Sequence, residues 1–154
     1  MGNLQVDYAM LKKFRDNIKE LDGAQKERFY DAAAKELAAR LLSSVKKRTP
    51  VGQYPTGSGK TGGTLRRSWF VGSVAKKGDA YTVEVKNPMQ YASYVEHGHR
   101  QEPGRYVPAL GKRLKKGWVK GCFMLKISSQ ELKKDYQRIV SNRLDRFIKD
   151  TLDA

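Results

Sequence analysis

Hydrophobic residues recur at spacings of three and four residues in three stretches of the chain, which is the pattern of amphipathic helices. The first stretch ends near Gly23, and its apolar positions are Leu11, Phe14, Ile18 and Leu21. The second runs from about Ala24 to Arg48 and is stopped by Pro50, because the residue before a proline is pushed out of the helical region. Its apolar positions are Phe29, Ala33, Leu37, Leu41 and Val45, widened by Ala34, Ala38 and Leu42.

The third stretch predicts a C-terminal helix. Ser128 and Glu131 have the spacing of a capping box, so we expect the helix to begin there. The apolar positions that it would bury are Leu132, Tyr136, Ile139, Val140, Leu144, Phe147 and Leu152.

Between the second and third helices the pattern changes to β-branched and aromatic residues, which favour strands. Residues 68–74 and 81–86 flank Lys77-Gly78-Asp79 and predict an antiparallel hairpin, with the first strand entered from Leu65. Residues 91–96 fit either a short helical turn or a strand, and Cys122–Leu125 fits a buried strand. The fold class is therefore α+β, a small antiparallel sheet packed by a long N-terminal helix and a C-terminal helix.

Size and composition restrict the class of protein. The chain has 154 residues and 17.5 kDa, of which 39% are hydrophobic and 31% charged, so we expect a single domain over residues 1–154. No apolar run is long enough to span a bilayer, and residues 1–6 do not resemble a secretion signal. Cys122 is the single cysteine, which excludes an internal disulfide and a cysteine-built zinc site. These features predict a soluble protein made in a reducing cytoplasm.

The positive charge is concentrated in two segments. The formal net charge is +15; residues 45–67 hold six basic residues and no acid, and residues 99–120 hold seven basic residues against Glu102 alone. Ten of the 14 glycines and four of the five prolines lie in residues 50–63 and 98–121, where they disfavour regular helix and strand. The sequence thus predicts two long, flexible, basic loops, at residues 49–67 and 98–121.

One glycine-rich stretch partly matches the sequence motif of a phosphate-binding loop. Gly57-Ser58-Gly59-Lys60-Thr61 contains the Gly-Lys-Thr end of that motif, but Tyr54 stands where its first glycine is required. The motif also needs a strand before it and a helix after it, whereas here a helix precedes and a strand is predicted to follow. A flexible glycine hinge is the better interpretation.

Glu96-His97-Gly98-His99-Arg100 is the densest cluster of reactive side chains. Two histidines separated by one residue could bind a metal with Glu96 as a third ligand. Alternatively, Glu96, His97 and Arg100 could act as base, acid and phosphate clamp of a metal-independent ribonuclease. The alternative is a turn whose polar residues face solvent or a neighbouring subunit. We expect no catalytic residue, no metal and no cofactor.

The basic loops also carry aromatic residues: Tyr54 in the first, Tyr106 and Trp118 in the second. Basic residues interleaved with rings are typical of proteins that bind single-stranded nucleic acid. The rings could equally anchor the loops to protein. No helix-turn-helix or zinc-finger pattern is present, so base-specific recognition is unsupported.

Two blocks of residues resemble a known family. The first block consists of Thr49-Pro50-Val51 and Thr61-Gly62-Gly63-Thr64-Leu65-Arg66-Arg67-Ser68-Trp69, and it resembles the TPV-x-TG-x-LR-x-S signature of tail-completion or neck (head–tail joining) proteins of long-tailed bacteriophages. The second block is Tyr91-Ala92-Ser93-Tyr94-Val95-Glu96-His97-Gly98, and it resembles the YA-x-YVE-x-G signature of the same family. The matching positions are Thr49, Pro50, Thr61, Gly62, Leu65, Arg66, Ser68, Tyr91, Ala92, Tyr94, Glu96 and Gly98. The chain departs from the family in an insertion after Val51 and in the long basic stretch from Arg100 to Lys120.

The resemblance implies a non-enzymatic structural protein of the virion, made in the host cytoplasm, that forms a homo-oligomeric ring, a hexamer, around the DNA channel of the neck. Its partners would be other neck proteins (connector, tail terminator or tail tube) and passing double-stranded DNA, held by non-specific charge; no membrane is implied. The candidate assembly or channel residues are Lys60, Arg66, Arg67, Arg100, Arg105, Lys112, Arg113, Lys115, Lys116 and Lys120. The alternatives are a sequence-nonspecific nucleic-acid-binding protein of the cytoplasm and a small His-dependent nuclease.

Overall fold

A computed structural model describes residues 7–153, apart from the side chain of Leu152. The chain divides into two compact units, each assembled from separate stretches of sequence. The unit that we call the helical unit comprises the chain up to Arg40, Gly72–Glu84 and the chain from Gln130 onward. The other, the motif unit, comprises Leu41–Val71 and Val85–Ser129.

The described residues form helices and short antiparallel strand pairs, which confirms the predicted α+β class. The helices are α1 (Tyr8–Lys19), α2 (Gly23–Arg48), α3 (Thr64–Arg67), α4 (Ala92–His97) and α5 (Met124–Leu152), with a 3₁₀ turn at Pro108–Leu110. The strands are β1 (Phe70–Val71), β2 (Ala75–Lys77), β3 (Ala80–Thr82), β4 (Val85–Lys86), β5 (Gly98–Arg100), β6 (Tyr106–Val107), β7 (Lys112–Arg113) and β8 (Trp118–Lys120).

The core of the helical unit is formed by residues of α1, α2 and α5 and of the turn between α1 and α2. Leu21, Phe29, Ala33 and Leu144 are buried, and the Phe29 ring lies 5.7 Å from that of Phe147. These positions confirm the helical periodicity. Two apolar positions predicted to be buried are exposed, Leu11 by 40% and Tyr136 by 47%, and the predicted burial of Leu152 falls outside the described side chains.

Local hydrogen bonds fix where α1 and α2 begin. The Asp7 carboxylate accepts a bond from the Met10 amide at 3.1 Å, which caps α1. Before α2, the Gln25 amide donates to the Asp22 carboxylate at 2.7 Å and the Asp22 amide donates to the Gln25 side chain at 3.0 Å. This reciprocal pair is a capping box that the sequence analysis did not predict.

The predicted hairpin is confirmed, with β2 and β3 joined through Gly78-Asp79. Within the helical unit it contacts α2: Lys76 forms an ion pair with Glu27, and the Tyr81 ring stacks on Tyr30 with centroids 5.4 Å apart. The hydrogen bond to Glu27 raises the pKa of Lys76. The predicted strands 68–74 and 81–86 are shorter than expected: β1 and β4 form a separate antiparallel pair in the motif unit, with Val71 opposite Val85.

The core of the motif unit consists of Val45, Leu65, Trp69 and Met124. Residues 65–67 belong to α3 and not to a strand, so the predicted strand from Leu65 is wrong at its start. Residues 92–97 form α4, which decides between the two interpretations of the second block.

The predicted strand at Cys122–Leu125 and the predicted capping box at Ser128 are both wrong, because α5 already begins at Met124. Ser128 is buried inside the helix, where its hydroxyl donates to the Met124 carbonyl at 2.7 Å. An apolar run of four residues cannot by itself distinguish a buried strand from a buried helical turn.

The two basic segments differ. The first, predicted as a loop over residues 49–67, has no helix or strand in residues 50–63 but ends in α3 at Thr64–Arg67. Residues 98–121, which we call the basic arm, form nested antiparallel pairs: β5 with β8, and β6 with β7 around the 3₁₀ turn. Backbone bonds between the pairs, such as Gly104 N–H to the Leu114 carbonyl at 2.8 Å, continue the hairpin. The prediction of a loop without regular strands is therefore wrong for the basic arm, while the flexibility of both segments stays a prediction.

Candidate functional site

The residues of both signature blocks lie in the motif unit, and the first block anchors the end of α2. Thr49 is fully buried; its hydroxyl donates to the Val45 carbonyl at 2.7 Å and accepts a bond from the Trp69 indole at 2.9 Å. The Arg66 guanidinium donates twice to the Thr49 carbonyl, at 3.0 and 2.7 Å. A carbonyl at the end of a helix has no intrahelical donor, so Arg66 satisfies it.

The other residues of the first block have similar local roles. Leu65 is buried in the core, and the Ser68 hydroxyl donates to the Thr64 carbonyl at 2.7 Å. Gly62 lies so close to the carbonyl of Gly52 that an added Cβ would be 1.9 Å from it. Pro50 and Thr61 are exposed.

In the second block, Glu96 caps a helix. Its side chain is buried, and its two carboxylate oxygens accept bonds from the amides of Leu125 at 3.0 Å and Lys126 at 2.9 Å. These amides belong to the first turn of α5, where the helix has no acceptors of its own and its dipole attracts a negative charge. Both oxygens of Glu96 are thus occupied by the backbone, as a structural cap requires.

A close backbone crossing joins the second block to the start of α5. Gly98 has φ +89°, and a Cβ at this position would be 2.4 Å from the Val119 carbonyl; a Cβ at Gly121 would be 2.3 Å from the Glu96 carbonyl. The amide of Cys122 donates to the Val95 carbonyl at 2.8 Å. Gly121 was not among the predicted site residues, although glycines at both ends of the basic arm were a visible signal for such a crossing.

The histidines do not assemble with Glu96. His97 is exposed, and its Nδ1 lies 3.2 Å from the Ser93 carbonyl. His99 is half-buried beside the Tyr94 ring, with its Nε2 3.3 Å from the Gln101 amide nitrogen. Its Nδ1 is buried and has no hydrogen-bond partner among the residues that the structure describes. Among residues 7–153, no group of three or more His, Cys, Asp or Glu side chains could hold a metal ion.

The glycine-rich stretch at residues 57–61 lacks the surroundings of a phosphate-binding loop. It follows α2 without an intervening strand and precedes α3, which has only four residues. Its Lys60 is exposed, whereas the neighbouring Arg67 donates to the Gly62 carbonyl at 3.2 Å.

The basic arm presents its candidate residues on its surface. All seven of its basic side chains are exposed, namely Arg100, Arg105, Lys112, Arg113, Lys115, Lys116 and Lys120. The Arg113 side chain donates to the Gly104 carbonyl at 2.7 Å and lies 6.0 Å from the centre of the Tyr106 ring. No ion pair that the structure describes within residues 7–153 involves any of the seven.

The motif unit also exposes aromatic rings, two of which belong to the second signature block. Tyr91 is 44% exposed, Tyr94 59% and Phe70 46%. Tyr91 borders a groove that is lined by residues 50–52, Tyr54, residues 61–65 and Val95. The spacing of Tyr91 and Tyr94 on a helical turn was the available signal, but residues 91–96 could not be assigned to a helix beforehand.

Comparison with known proteins identifies one family. The family model described as "Bacteriophage HK97-gp10, putative tail-component" matches residues 12–98, more than half of the chain. The match contains both signature blocks and ends where the basic arm begins. No curated protein and no solved structure matches the chain. No helix in the described part of the chain is long and apolar enough to cross a membrane.

Proposed function

This chain belongs to the HK97-gp10-like family of bacteriophage tail components, and we propose that it is a structural protein of the virion neck that completes the tail or joins it to the head. A tail component is part of the virion and contacts other phage tail or neck proteins. The observation that carries the proposal is the family match over residues 12–98, which includes both signature blocks.

The roles of the signature residues support a structural and not an enzymatic function. Glu96, the one carboxylate of the reactive cluster, binds two backbone amides of α5. Arg66 binds the end of α2 through the Thr49 carbonyl. A general base must reach the proton that it removes from a substrate. A carboxylate that is buried and accepts hydrogen bonds at both oxygens has a structural role instead.

We further propose that copies of the chain form a ring around the DNA path, with a hexamer as the expected assembly. A ring needs one repeated heterologous contact between different surfaces of neighbouring copies. The exposed rings of Phe70, Tyr91 and Tyr94 support such a contact, since aromatic residues are enriched in protein interfaces. Charge argues against a contact between two basic arms, which would repel each other.

The test is deletion of the gene in its phage, with complementation by the wild-type chain. We expect unjoined heads and tails or defective tails in the deletion lysate, and the protein in purified wild-type virions by mass spectrometry. Restoration by a Glu20→Gln variant, which changes one exposed charge of the helical unit, is the matched control. Normal infectious particles without the gene would refute the proposal.

The ring is tested separately on assembled particles. Electron microscopy of wild-type necks should show density for this chain with rotational symmetry about the tail axis. A single asymmetrically placed copy would refute the ring and leave the tail role intact.

A further inference from the structure

The two compact units differ sharply in charge. The motif unit contains 15 of the 31 lysines and arginines but only two of the 16 acidic residues, a net +13, whereas the helical unit is close to neutral with +2. Of the two acids in the motif unit, Glu96 is buried and bound to α5, so Glu102 is the exposed one. Nearly all of the net charge of the chain therefore lies on one unit.

Within the motif unit, the first basic segment uses its arginines internally. Arg66 donates both of its bonds to the Thr49 carbonyl, and Arg67 donates to the Gly62 carbonyl. Backbone carbonyls therefore accept some of the hydrogen bonds that the guanidinium groups of Arg66 and Arg67 can donate. Lys60 alone among the candidate residues of this segment has its charged group committed to no described bond within residues 7–153.

The basic arm differs because its cations are available. Apart from Arg113, none of its basic side chains makes a hydrogen bond or ion pair that the structure describes within residues 7–153. The arm offers seven exposed cations against the single acid Glu102.

The strand register of the arm places exposed rings beside these cations. Arg100 lies opposite Trp118, and residues directly opposite in an antiparallel pair point to the same face. Lys120, two residues from Trp118, shares that face. In the second pair Tyr106 lies opposite Arg113, which is also its cation–π partner. Trp118 is 53% exposed and Tyr106 52%, so each ring has a face free for a ligand.

We propose that the basic arm binds the phosphodiester backbone of nucleic acid without reading its sequence, with Trp118 and Tyr106 next to the bound strand. Protein–protein interfaces are depleted in lysine, whereas interfaces with nucleic acid are much more positively charged. Cations interleaved with exposed rings match the combination of positive charge and stacking side chains by which proteins bind single-stranded nucleic acid. The arm contains no helix to enter a groove and no set of side chains arranged for base edges, so its binding is non-specific.

This inference adds to the proposed function the chemistry of one partner. It rests on the proposed function only for the statement that the binding takes place in the virion. Binding is measured on the purified full-length protein. Failure of binding therefore leaves the tail role standing, and absence of the chain from virions leaves the binding result standing.

The experiment is fluorescence titration with a labelled mixed-sequence DNA duplex and with the same strand alone, between about 50 and 200 mM salt. The arm variant carries Arg105→Gln, Lys112→Gln, Lys115→Gln and Lys116→Gln; Arg113 is kept because it holds the Gly104 carbonyl. The matched control removes the same charge from exposed lysines of the helical unit, with Lys12→Gln, Lys19→Gln, Lys134→Gln and Lys149→Gln. Circular dichroism checks that both variants are folded.

We expect wild-type affinity to fall steeply with salt, and the arm variant to lower the slope of log affinity against log salt by about 1 per contact removed, about 4 in all. The control should keep the wild-type slope within about 1. Equal losses in the two variants would overturn the proposal, since net charge and not the arm would be responsible. Absence of wild-type binding at the lowest salt would overturn it as well.

Two further measurements identify the ligand class. Polyglutamate at equal charge should compete poorly; equal competition would overturn the proposal in favour of an acidic protein. Trp118 reports directly on the arm, because Trp69, the other tryptophan, is only 6% exposed. DNA should quench the wild-type tryptophan emission and leave that of Trp118→Phe unchanged. Quenching that persists in Trp118→Phe would contradict the placement of the strand.

Discussion

The cap that Glu96 provides for α5 predicts a large effect of a small substitution. Glu96→Gln conserves the size of the side chain but replaces one carboxylate oxygen by an amide NH₂ group. One of the two backbone amides, Leu125 at 3.0 Å or Lys126 at 2.9 Å, then faces a donor instead of an acceptor. The negative charge at the helix N-terminus is lost at the same time.

The magnitude follows from these contacts. A hydrogen bond to a charged group contributes about 1.5–3 kcal/mol, and the helix dipole adds about 0.3–1 kcal/mol at a charged terminus. The site is only 8% exposed, so water replaces little of the loss. We therefore expect Glu96→Gln to lower the free energy of unfolding by about 2–4 kcal/mol, which lowers the melting temperature by about 4–16 °C for a chain of this size.

The assay is urea unfolding at neutral pH, followed by circular dichroism and tryptophan fluorescence. Glu102→Gln is the control, since it removes the same charge from an exposed position. If Glu96→Gln is within about 0.5 kcal/mol of this control, the size of an ordinary surface substitution, the capping role assigned to Glu96 is wrong.

Two further predictions concern the cores and the pH dependence of stability. Trp69→Ala should lower the free energy of unfolding by about 3–5 kcal/mol because the ring is buried, whereas Trp118→Ala should lower it by less than about 0.5 kcal/mol; equal losses would contradict the difference in burial. The Glu36 carboxylate accepts hydrogen bonds from Arg40 and Arg143, which lower its pKa below the ordinary 4.5, Arg40 more than Arg143. The contribution of this carboxylate to the stability of the folded state is therefore present above pH 4.5 and is lost as the pH falls through the lowered pKa. Glu36→Gln should therefore reduce stability at neutral pH and flatten its acid limb in thermal melts, and an unchanged limb would refute this assignment.

The elements predicted best from the sequence were those with the longest period. The apolar positions of α2 recur along a helix of 26 residues, so a single exposed position does not obscure the pattern, and Pro50 fixes the end. The hairpin was predictable because a turn with glycine lies between two β-branched stretches. Tyr136 was misassigned because periodicity shows which face an apolar residue occupies, and not whether another element covers that face.

Two of the errors, at the start of α5 and in the basic arm, share one physical cause: the deciding contact is distant in sequence. Met124 begins a helix because Glu96, 28 positions earlier, supplies acceptors for its first amides. No capping residue stands directly before Met124, whereas Ser128 and Glu131 have the spacing of a capping box, so the sequence predicts a helix start that is too late. The strands of the basic arm are stabilised by pairing between residues 98–100 and 118–120, across a glycine-rich segment whose composition predicts a loop.

The candidate site shows the same division. The clustering of cations in residues 98–121 is visible in the sequence, and the structure adds which of them are free. Arg66 and Lys60 look equivalent in the sequence, yet Arg66 closes the end of α2 through the Thr49 carbonyl. Charge alone therefore does not distinguish arginines that stabilise the fold from cations that lie on the surface.

The position at which the family match ends indicates which part of this chain is not shared with the family. The match stops at residue 98, and the basic arm follows directly. The matched part contains the residues that cap α5, close the end of α2 and form much of both cores, so what is shared with the family is mainly scaffold. The seven cations of the arm lie beyond the match. Partner chemistry at the arm must therefore be established on this chain, and it does not follow from family membership.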